Sequence, residues 1–189
     1  LAWTSYPLSY NGSPAEAREF CEEAVEIGRK IGHLGGEVLG RRGIQLARNL
    51  GGVDLETMER GAREDLDNFE SIRSPWGSMS YAWVATVLTL RGDLEGSLEY
   101  AEQAINREPA SAWTGLGWAA KFVNRAMAGE RETCRRMLSD DRGLFPEPGE
   151  GSTFGRTMML FAAAQGCTIA GLTDDADVTP VPAAQDDSG

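Results

Sequence analysis

The chain has 189 residues, of which 29 are acidic and 18 are basic, so its formal net charge is −11. This charge disfavours electrostatic binding to nucleic acid or to an anionic membrane, because both require a concentrated positive surface. Hydrophobic residues make up 41% of the chain, which excludes a wholly disordered protein. No apolar run reaches the roughly 18 residues of a membrane span, and the start lacks a secretory signal. We therefore expect a cytoplasmic protein.

Glycines recur along the chain at nearly constant steps of 40, 40, 37 and 37 residues. They are Gly12, Gly52, Gly92, Gly129 and Gly166. A fixed period of this length is typical of stacked repeats, in which each unit buries its apolar face against its neighbours. The first glycine comes too early for a complete preceding helix and the chain starts at a leucine, so we expect part of a longer protein.

Helix start signals follow the glycines in chain order. Ser13 and Pro14 provide an N-cap and a proline at the first helical position, and Glu16 completes a capping box. Asp54 and Asp93 begin the next two such helices, and a fourth covers residues 130–140. Apolar spacings of three and four residues predict the other helix of each unit over 35–49, 76–91, 112–128 and 153–165. Only a short apolar stretch follows the fifth glycine, so that unit is predicted to be incomplete.

The third and fourth units resemble the tetratricopeptide family. The residues that follow its pattern in the third unit are Tyr81, Val84, Ala85, Leu88, Gly92, Ser97, Ala101, Ala104 and Pro109. In the fourth unit, Trp113, Leu116 and Gly117 match the Trp-x2-Leu-Gly element literally. The repeats exceed the family length of about 34 residues, and they are similar to the degenerate repeats of large bacterial signalling proteins, such as class III adenylate cyclases and maltose-activator-type regulators.

This resemblance implies an all-α fold, a right-handed superhelix of antiparallel helix pairs over residues 1–172. The segment 173–189 is acidic and lacks apolar periodicity, so we expect a disordered tail there.

Reactive and metal-binding residues give no catalytic pattern. Cys21 and Cys134 lie on apolar helix faces and are expected to be packing residues, whereas Cys167 is a nucleophile candidate without a nearby histidine. His33 is expected to be a cation near a helix C-terminus. The acidic clusters lack calcium-loop spacing and are interpreted as solvated charge. They are Asp140 with Asp141, Asp174 with Asp175, and Glu64 with Asp65 and Asp67. We expect no metal and no cofactor.

Aromatic residues of the third and fourth units suggest a binding surface. In tetratricopeptide-like stacks the first helices line a concave groove, so the resemblance implies that some of their side chains face a partner. The predicted groove residues are Met79, Ala82, Thr86, Thr89, Thr114, Trp118, Lys121 and Arg125. Trp83 and Trp113 are better explained by packing between repeats. For Trp118, a position in the groove and a packing position between helices are equally favoured.

The leading functional hypothesis is a non-catalytic scaffold that binds a protein or peptide partner or mediates assembly, within a larger bacterial signalling or regulatory protein. The alternative is a sensor in which Trp76, Trp83 and Trp118 surround an apolar small molecule. A helical enzyme that uses scattered carboxylates ranks last. An open groove would favour the scaffold, and an enclosed pocket with convergent polar groups would favour the sensor.

Overall fold

The computed structural model describes residues 8–9, 11–74, 77–107, 115–145 and 154–172. Regular structure in these ranges is helical, with no residue in a strand. The helices are α1 (Pro14–Ile31), α2 (Leu34–Leu50), α3 (Leu55–Ser71), α4 (Gly77–Arg91), α5 (Leu94–Arg107), α6 (Leu116–Met127), α7 (Arg131–Asp140) and α8 (Phe154–Ala170), with a 3-10 turn at Arg142–Leu144. The predicted all-α fold is confirmed. The predicted tail lies outside the described residues.

Four of the five recurrent glycines stand at the turns between helices, as predicted. Gly12, Gly52, Gly92 and Gly129 have φ angles of 89°, 90°, 83° and 76°. Side chains disfavour this left-handed region, whereas glycine adopts it without strain because it has no Cβ. The glycine period therefore reflects a backbone requirement at each turn.

The fifth glycine was assigned wrongly. Gly166 lies inside α8, which continues to Ala170 instead of ending at residue 165. A Cβ at position 166 would come within 2.5 Å of the Phe122 ring, so the missing side chain allows α8 to approach α6 closely. The turn glycine of this unit is Gly171, with a φ of 67°.

Helix caps follow the sequence prediction in two of three cases. The Asp54 carboxylate accepts a hydrogen bond from the Thr57 backbone N–H at 2.8 Å. Asp93 does the same for the N–H of Gly96 at 3.0 Å. Ser13 occupies the N-cap position of α1, but its side chain makes no capping hydrogen bond.

The helices on either side of Gly52, Gly92 and Gly129 form antiparallel pairs. We call these three glycines, together with Gly171 at the end of α8, the turn glycines. In the α4/α5 pair, Thr89 and Ser97 stand three residues before and five residues after their turn glycine, and their hydroxyl oxygens lie 2.6 Å apart. Buried alanines continue this register. Ala85 stands seven residues before Gly92 and shares a cluster with Ala101, nine residues after it. Ala82, ten residues before, shares a cluster with Ala104, twelve residues after.

The other two pairs keep the same register. In α2/α3, Gln45 and Gly61 stand seven before and nine after Gly52, and a Cβ at position 61 would lie 2.7 Å from the Gln45 amide oxygen. In α6/α7, Ala126 and Phe122 stand three and seven residues before Gly129. They share a buried cluster with Cys134 and Leu138, which stand five and nine residues after it.

The buried core extends through two layers of helices, one formed by the first helix of each repeat and the other by the second. Helix α4 packs against α3, α5 and α6, and α6 packs in turn against α8. Most residues of α4 are buried, and those with some exposure are Trp83, Thr86, Leu90 and Arg91. None of the helices that the structure describes is long and apolar enough to cross a membrane.

Candidate functional site

Four residues of the predicted groove are buried. Met79, Thr89 and Trp118 retain only 7%, 3% and 5% of their accessible surface. The Thr89 hydroxyl donates to the Ala85 carbonyl oxygen at 3.0 Å and contacts Ser97 on α5. These three residues pack helices together, so their assignment to an open groove is wrong. The buried Ala82 serves the same packing.

Trp118 is buried because it takes the core position of its repeat. It stands eleven residues before Gly129, as the buried Tyr81 stands eleven before Gly92. Its ring stacks on Phe122 with centroids 4.8 Å apart, and its indole N–H donates to the Asp141 carboxylate at 2.7 Å. The literal Trp-x2-Leu-Gly match placed the register five residues too early.

This position of Trp118 also weakens the sensor hypothesis. Phe145 meets the same ring edge-on, with centroids 5.2 Å apart. The indole is 5% exposed and contacts two aromatic rings, so it offers no open surface to an apolar ligand. Trp76, Trp113 and Thr114 lie outside the described residues.

The remaining groove residues are partly exposed. Thr86 donates its hydroxyl proton to a backbone carbonyl of its own helix. The Lys121 ammonium lies 3.1 Å from Glu102, and the Arg125 guanidinium lies 2.6 Å from Glu130. Ion pairs at a surface contribute only about 0–1 kcal/mol each. An acidic partner could therefore replace either carboxylate at little cost.

Exposed aliphatic side chains occupy one constant position in the repeats. Leu50, Leu90, Met127 and Ile169 each stand two residues before a turn glycine and are 46%, 53%, 44% and 45% exposed. We call these four residues the apolar row. Because α4 packs on α6 and α6 packs on α8, three of them lie on adjacent helices. Sequence reasoning missed the row, although its fixed offset from the glycines is visible in the sequence.

One helical turn before the apolar row lies a second set of partly or fully exposed residues. Thr86, Val123 and Gln165 each stand six residues before their turn glycine. Residues four apart share one side of a helix, so this set and the apolar row form one surface. We call that surface the first-helix face. It combines aliphatic, hydroxyl and amide groups. Lys121 and Arg125 stand two residues from Val123 and Met127, so they lie on nearly the opposite side of α6.

A polar cavity of about 200 Å³ separates α2 from α3. Gln45 donates to Glu64 at 3.3 Å, and Arg41 donates to Asn68 at 3.5 Å. The residues that line the cavity are Arg41, Ile44, Gln45, Arg48, Glu64, Asp65 and Asn68. Its mixed charges and internal hydrogen bonds do not suit the apolar ligand of the sensor hypothesis.

A buried ion pair lies beside this cavity, and its acidic partner, Asp65, is part of the lining. The Arg42 guanidinium donates to the Asp65 carboxylate at 2.7 Å, and it also lies over the Trp83 ring, 5.5 Å from the centroid. Burial raises the pKa of Asp65, and the charge and hydrogen bond of Arg42 oppose this shift. The prediction of solvated charge is therefore wrong for Asp65. The contact with Arg42 agrees with the expected packing role of Trp83 between repeats.

The cysteines and the histidine have structural positions. Cys21, Cys134 and Cys167 are all buried, and burial, with a smaller effect of Cys167, raises the pKa of the Cys134 thiol. His33 caps the start of α2 by accepting the Gly36 N–H at Nδ1, 2.8 Å away. His33 also lies just past the C-terminus of α1, as expected, where its backbone N–H donates to the Gly28 carbonyl oxygen at 2.8 Å. Across the described ranges, no group of three metal-binding side chains is present.

Asp141 also departs from the sequence prediction of solvated charge, because it accepts the Trp118 hydrogen bond and is partly buried. Asp174 and Asp175 lie outside the described residues.

Comparison with known proteins supports the fold. No family model and no curated protein matches the chain. Two crystal structures of a kinesin light chain-like protein from Podosopora anserina, with nearly identical TPR-like repeats, are similar to it. The first has a TM-score of 0.62 at 13% identity, and covers 93% of this chain and 88% of that one. A variant of that protein with one substitution has a TM-score of 0.63 at 13% identity, and the match covers 93% of this chain and 87% of the variant's chain.

The chain has a tetratricopeptide-like solenoid fold. At this sequence identity the likeness concerns the fold alone. Within the solenoid, α2, α4, α6 and α8 are the first helices of successive repeats, and α3, α5 and α7 are the second helices of the first three of these.

Proposed function

We propose that the solenoid is a protein-binding scaffold that holds a segment of a partner protein across its first-helix face. The observation behind this proposal is the apolar row, whose aliphatic side chains stay exposed at one position in four successive first helices. Exposed apolar side chains that line up on one surface are typical of interaction sites.

The chemistry of this face defines the partner. Aliphatic side chains of the partner would pack against Leu90, Met127 and Ile169, and burial of each such group contributes about 1 kcal/mol or more. The partner segment is therefore aliphatic, and the binding needs no cofactor.

The wider setting is a further part of this proposal. The repeats form the helical region of a larger cytoplasmic bacterial signalling or regulatory protein, a setting that rests on the resemblance of these long, degenerate repeats.

Peptide display tests the proposal. We expect peptides selected from a random library on the intact chain to lose at least roughly tenfold in affinity when Met127 is replaced by Asp, because a charge would face their aliphatic groups. Ile31→Asp is the matched control, since Ile31 is also an exposed aliphatic residue but lies on α1. Lys121→Glu should leave the affinity unchanged, because Lys121 lies on the opposite side of α6. Selected peptides that bind the Met127→Asp variant normally would refute the proposed face.

A further inference from the structure

The cavity between α2 and α3 lies where the next repeat is closed by alanines. Gln45 and Glu64 stand seven residues before and twelve residues after Gly52. At the same offsets from Gly92, the α4/α5 pair has the buried residues Ala85 and Ala104. Small apolar side chains close that seam, whereas amide and charged side chains line the cavity. The polar lining therefore comes from the residues of this repeat and not from the fold.

The direct contacts across the cavity are weak. The Gln45 amide donates to the Glu64 carboxylate at 3.3 Å, and Arg41 donates to the Asn68 amide oxygen at 3.5 Å. Both distances exceed the usual range of about 2.7–3.2 Å for a hydrogen bond from N–H to oxygen. A ligand that offers shorter hydrogen bonds can therefore replace these contacts readily.

Two charges of the lining are already compensated by neighbours. Arg41 forms an ion pair with Glu37 on its own helix. Asp65 forms the buried pair with Arg42 at 2.7 Å. Neither Arg41 nor Asp65 needs a charged ligand.

The other two charges of the lining are Arg48 on α2 and Glu64 on α3. Both are exposed, so the cavity is open to the surface at these residues. They have opposite signs and line the same cavity, yet neither forms an ion pair with any residue that the structure describes. A cation and an anion therefore border the cavity from two different helices without neutralising each other.

The volume restricts the ligand to a small molecule. A protein cavity of about 150 Å³ holds benzene, so one of about 200 Å³ accommodates roughly eight non-hydrogen atoms. Ile44 provides the aliphatic part of the lining. The matching ligand therefore has a positive charge, a negative charge and a short aliphatic group.

We propose that this cavity binds a free α-amino acid with a small aliphatic side chain. The Arg48 guanidinium donates to the carboxylate of the ligand, and the ammonium of the ligand donates to Glu64. Hydrogen bonds between an arginine and a carboxylate are short and often bidentate, which gives the site its orientation. The side chain of the ligand packs against Ile44. This inference goes beyond the proposed function, because no residue of the lining belongs to the first-helix face.

Isothermal titration calorimetry of the intact chain with L-valine, which matches the cavity in size, tests the proposal. We expect saturable binding with a Kd below about 10 mM. Valinamide lacks the carboxylate and 3-methylbutanoate lacks the ammonium group. Each of these analogues should bind at least roughly tenfold more weakly than L-valine.

Two variants test the assigned residues. Arg48→Met and Glu64→Gln each remove one charge with little change in shape, and each should weaken L-valine binding at least roughly tenfold. Arg60→Met and Glu56→Gln are the matched controls, since both residues are exposed on α3 and lie outside the lining. Unchanged circular dichroism would verify that the variants fold.

The orientation of the ligand is tested by combining variants with analogues. Arg48→Met should not weaken valinamide further, because this ligand has no carboxylate to lose its partner. Glu64→Gln should likewise leave the binding of 3-methylbutanoate unchanged. Additive losses in either combination would contradict the assigned orientation.

Three other results would overturn the proposal. The first is no binding of L-valine to the intact chain at about 10 mM. The second is an analogue that binds as tightly as L-valine, which would reduce the site to a single charge. The third is normal binding of L-valine by both the Arg48→Met and the Glu64→Gln variant, which would place the ligand elsewhere.

Discussion

Arg42 and Asp65 place two opposite charges in the seam between α2 and α3, where most other contacts are polar as well. Removing two charges from water costs several kcal/mol per ion, and their attraction compensates only with good geometry. The 2.7 Å hydrogen bond and the Trp83 ring against the guanidinium supply that geometry. The pair therefore specifies how α2 meets α3 and α4 more than it stabilises the fold.

The first prediction concerns this pair. Asp65→Asn removes the buried carboxylate that pairs with the Arg42 guanidinium, so we expect the free energy of unfolding to fall by about 3–5 kcal/mol. The double variant Arg42→Met, Asp65→Leu removes both charges and should recover most of this loss. Urea unfolding followed by tryptophan fluorescence measures both values.

Glu64→Gln is the control for this measurement, because Glu64 is the exposed neighbour of Asp65 on the same helix. A double variant that is no more stable than Asp65→Asn would contradict our account of the seam.

At the level of the helices, glycine has two different functions in this chain. Gly129 and Gly171 adopt a left-handed backbone at turns. Gly117 and Gly166 lie inside helices, where a Cβ would come within 3.0 Å of Ala104 on the neighbouring helix and within 2.5 Å of Phe122, respectively. Both functions require the same residue type, for different physical reasons.

The second prediction separates these functions. Alanine is about 1 kcal/mol more favourable than glycine inside a helix. At position 166 the clash with Phe122 should outweigh this gain, because overpacking a buried site costs about 1–3 kcal/mol. We therefore expect Gly166→Ala to lower the melting temperature.

Gly35→Ala is the comparison, since the nearest atom to its added Cβ is 3.7 Å away. That variant should be as stable as the original chain or more so. If both variants shift the melting temperature in the same direction, close packing at Gly166 is not the reason for the glycine.

The two functions of glycine explain which parts of the fold could be predicted from the sequence. The helices and the first four turns follow from periodicity and caps, because both depend on local chemistry. Gly166 and Gly171 stand 37 and 42 residues after Gly129. Spacing alone favoured the wrong one, since the contact with Phe122 is made between distant segments.

The site was harder to predict than the fold. Trp118 was misplaced because a literal motif at Trp113 outweighed the register set by Gly129. Asp65 was interpreted as solvated because its partner Arg42 is 23 residues away. The apolar row could have been found from its constant offset, whereas its exposure depends on how the helices pack.

For the molecule as a whole, the repeats differ in how completely they are packed. Helix α4 is covered by α3, α5 and α6 and is almost entirely buried. Helix α7 buries only Cys134 and Leu138 of its ten residues. In a solenoid each repeat is stabilised by its neighbours, so stability should vary along the chain.

The third prediction follows from this difference. Hydrogen exchange measured by mass spectrometry should be slowest in residues 77–91 and faster in residues 131–140, because α7 has fewer buried contacts that resist local opening. Uniform protection of all helices would mean that the solenoid opens as one unit, contrary to our expectation.

The spacing of the apolar row restricts the backbone shape of a partner. Packed helix axes lie about 8–10 Å apart, so neighbouring members of the row repeat at about that distance. A left-handed polyproline II segment advances about 3.1 Å per residue with three residues per turn. It therefore presents every third side chain on one side at matching intervals. In a β-strand, successive third residues alternate between opposite faces. For the proposed function, this spacing favours partner segments whose aliphatic residues recur at every third position of a polyproline II conformation.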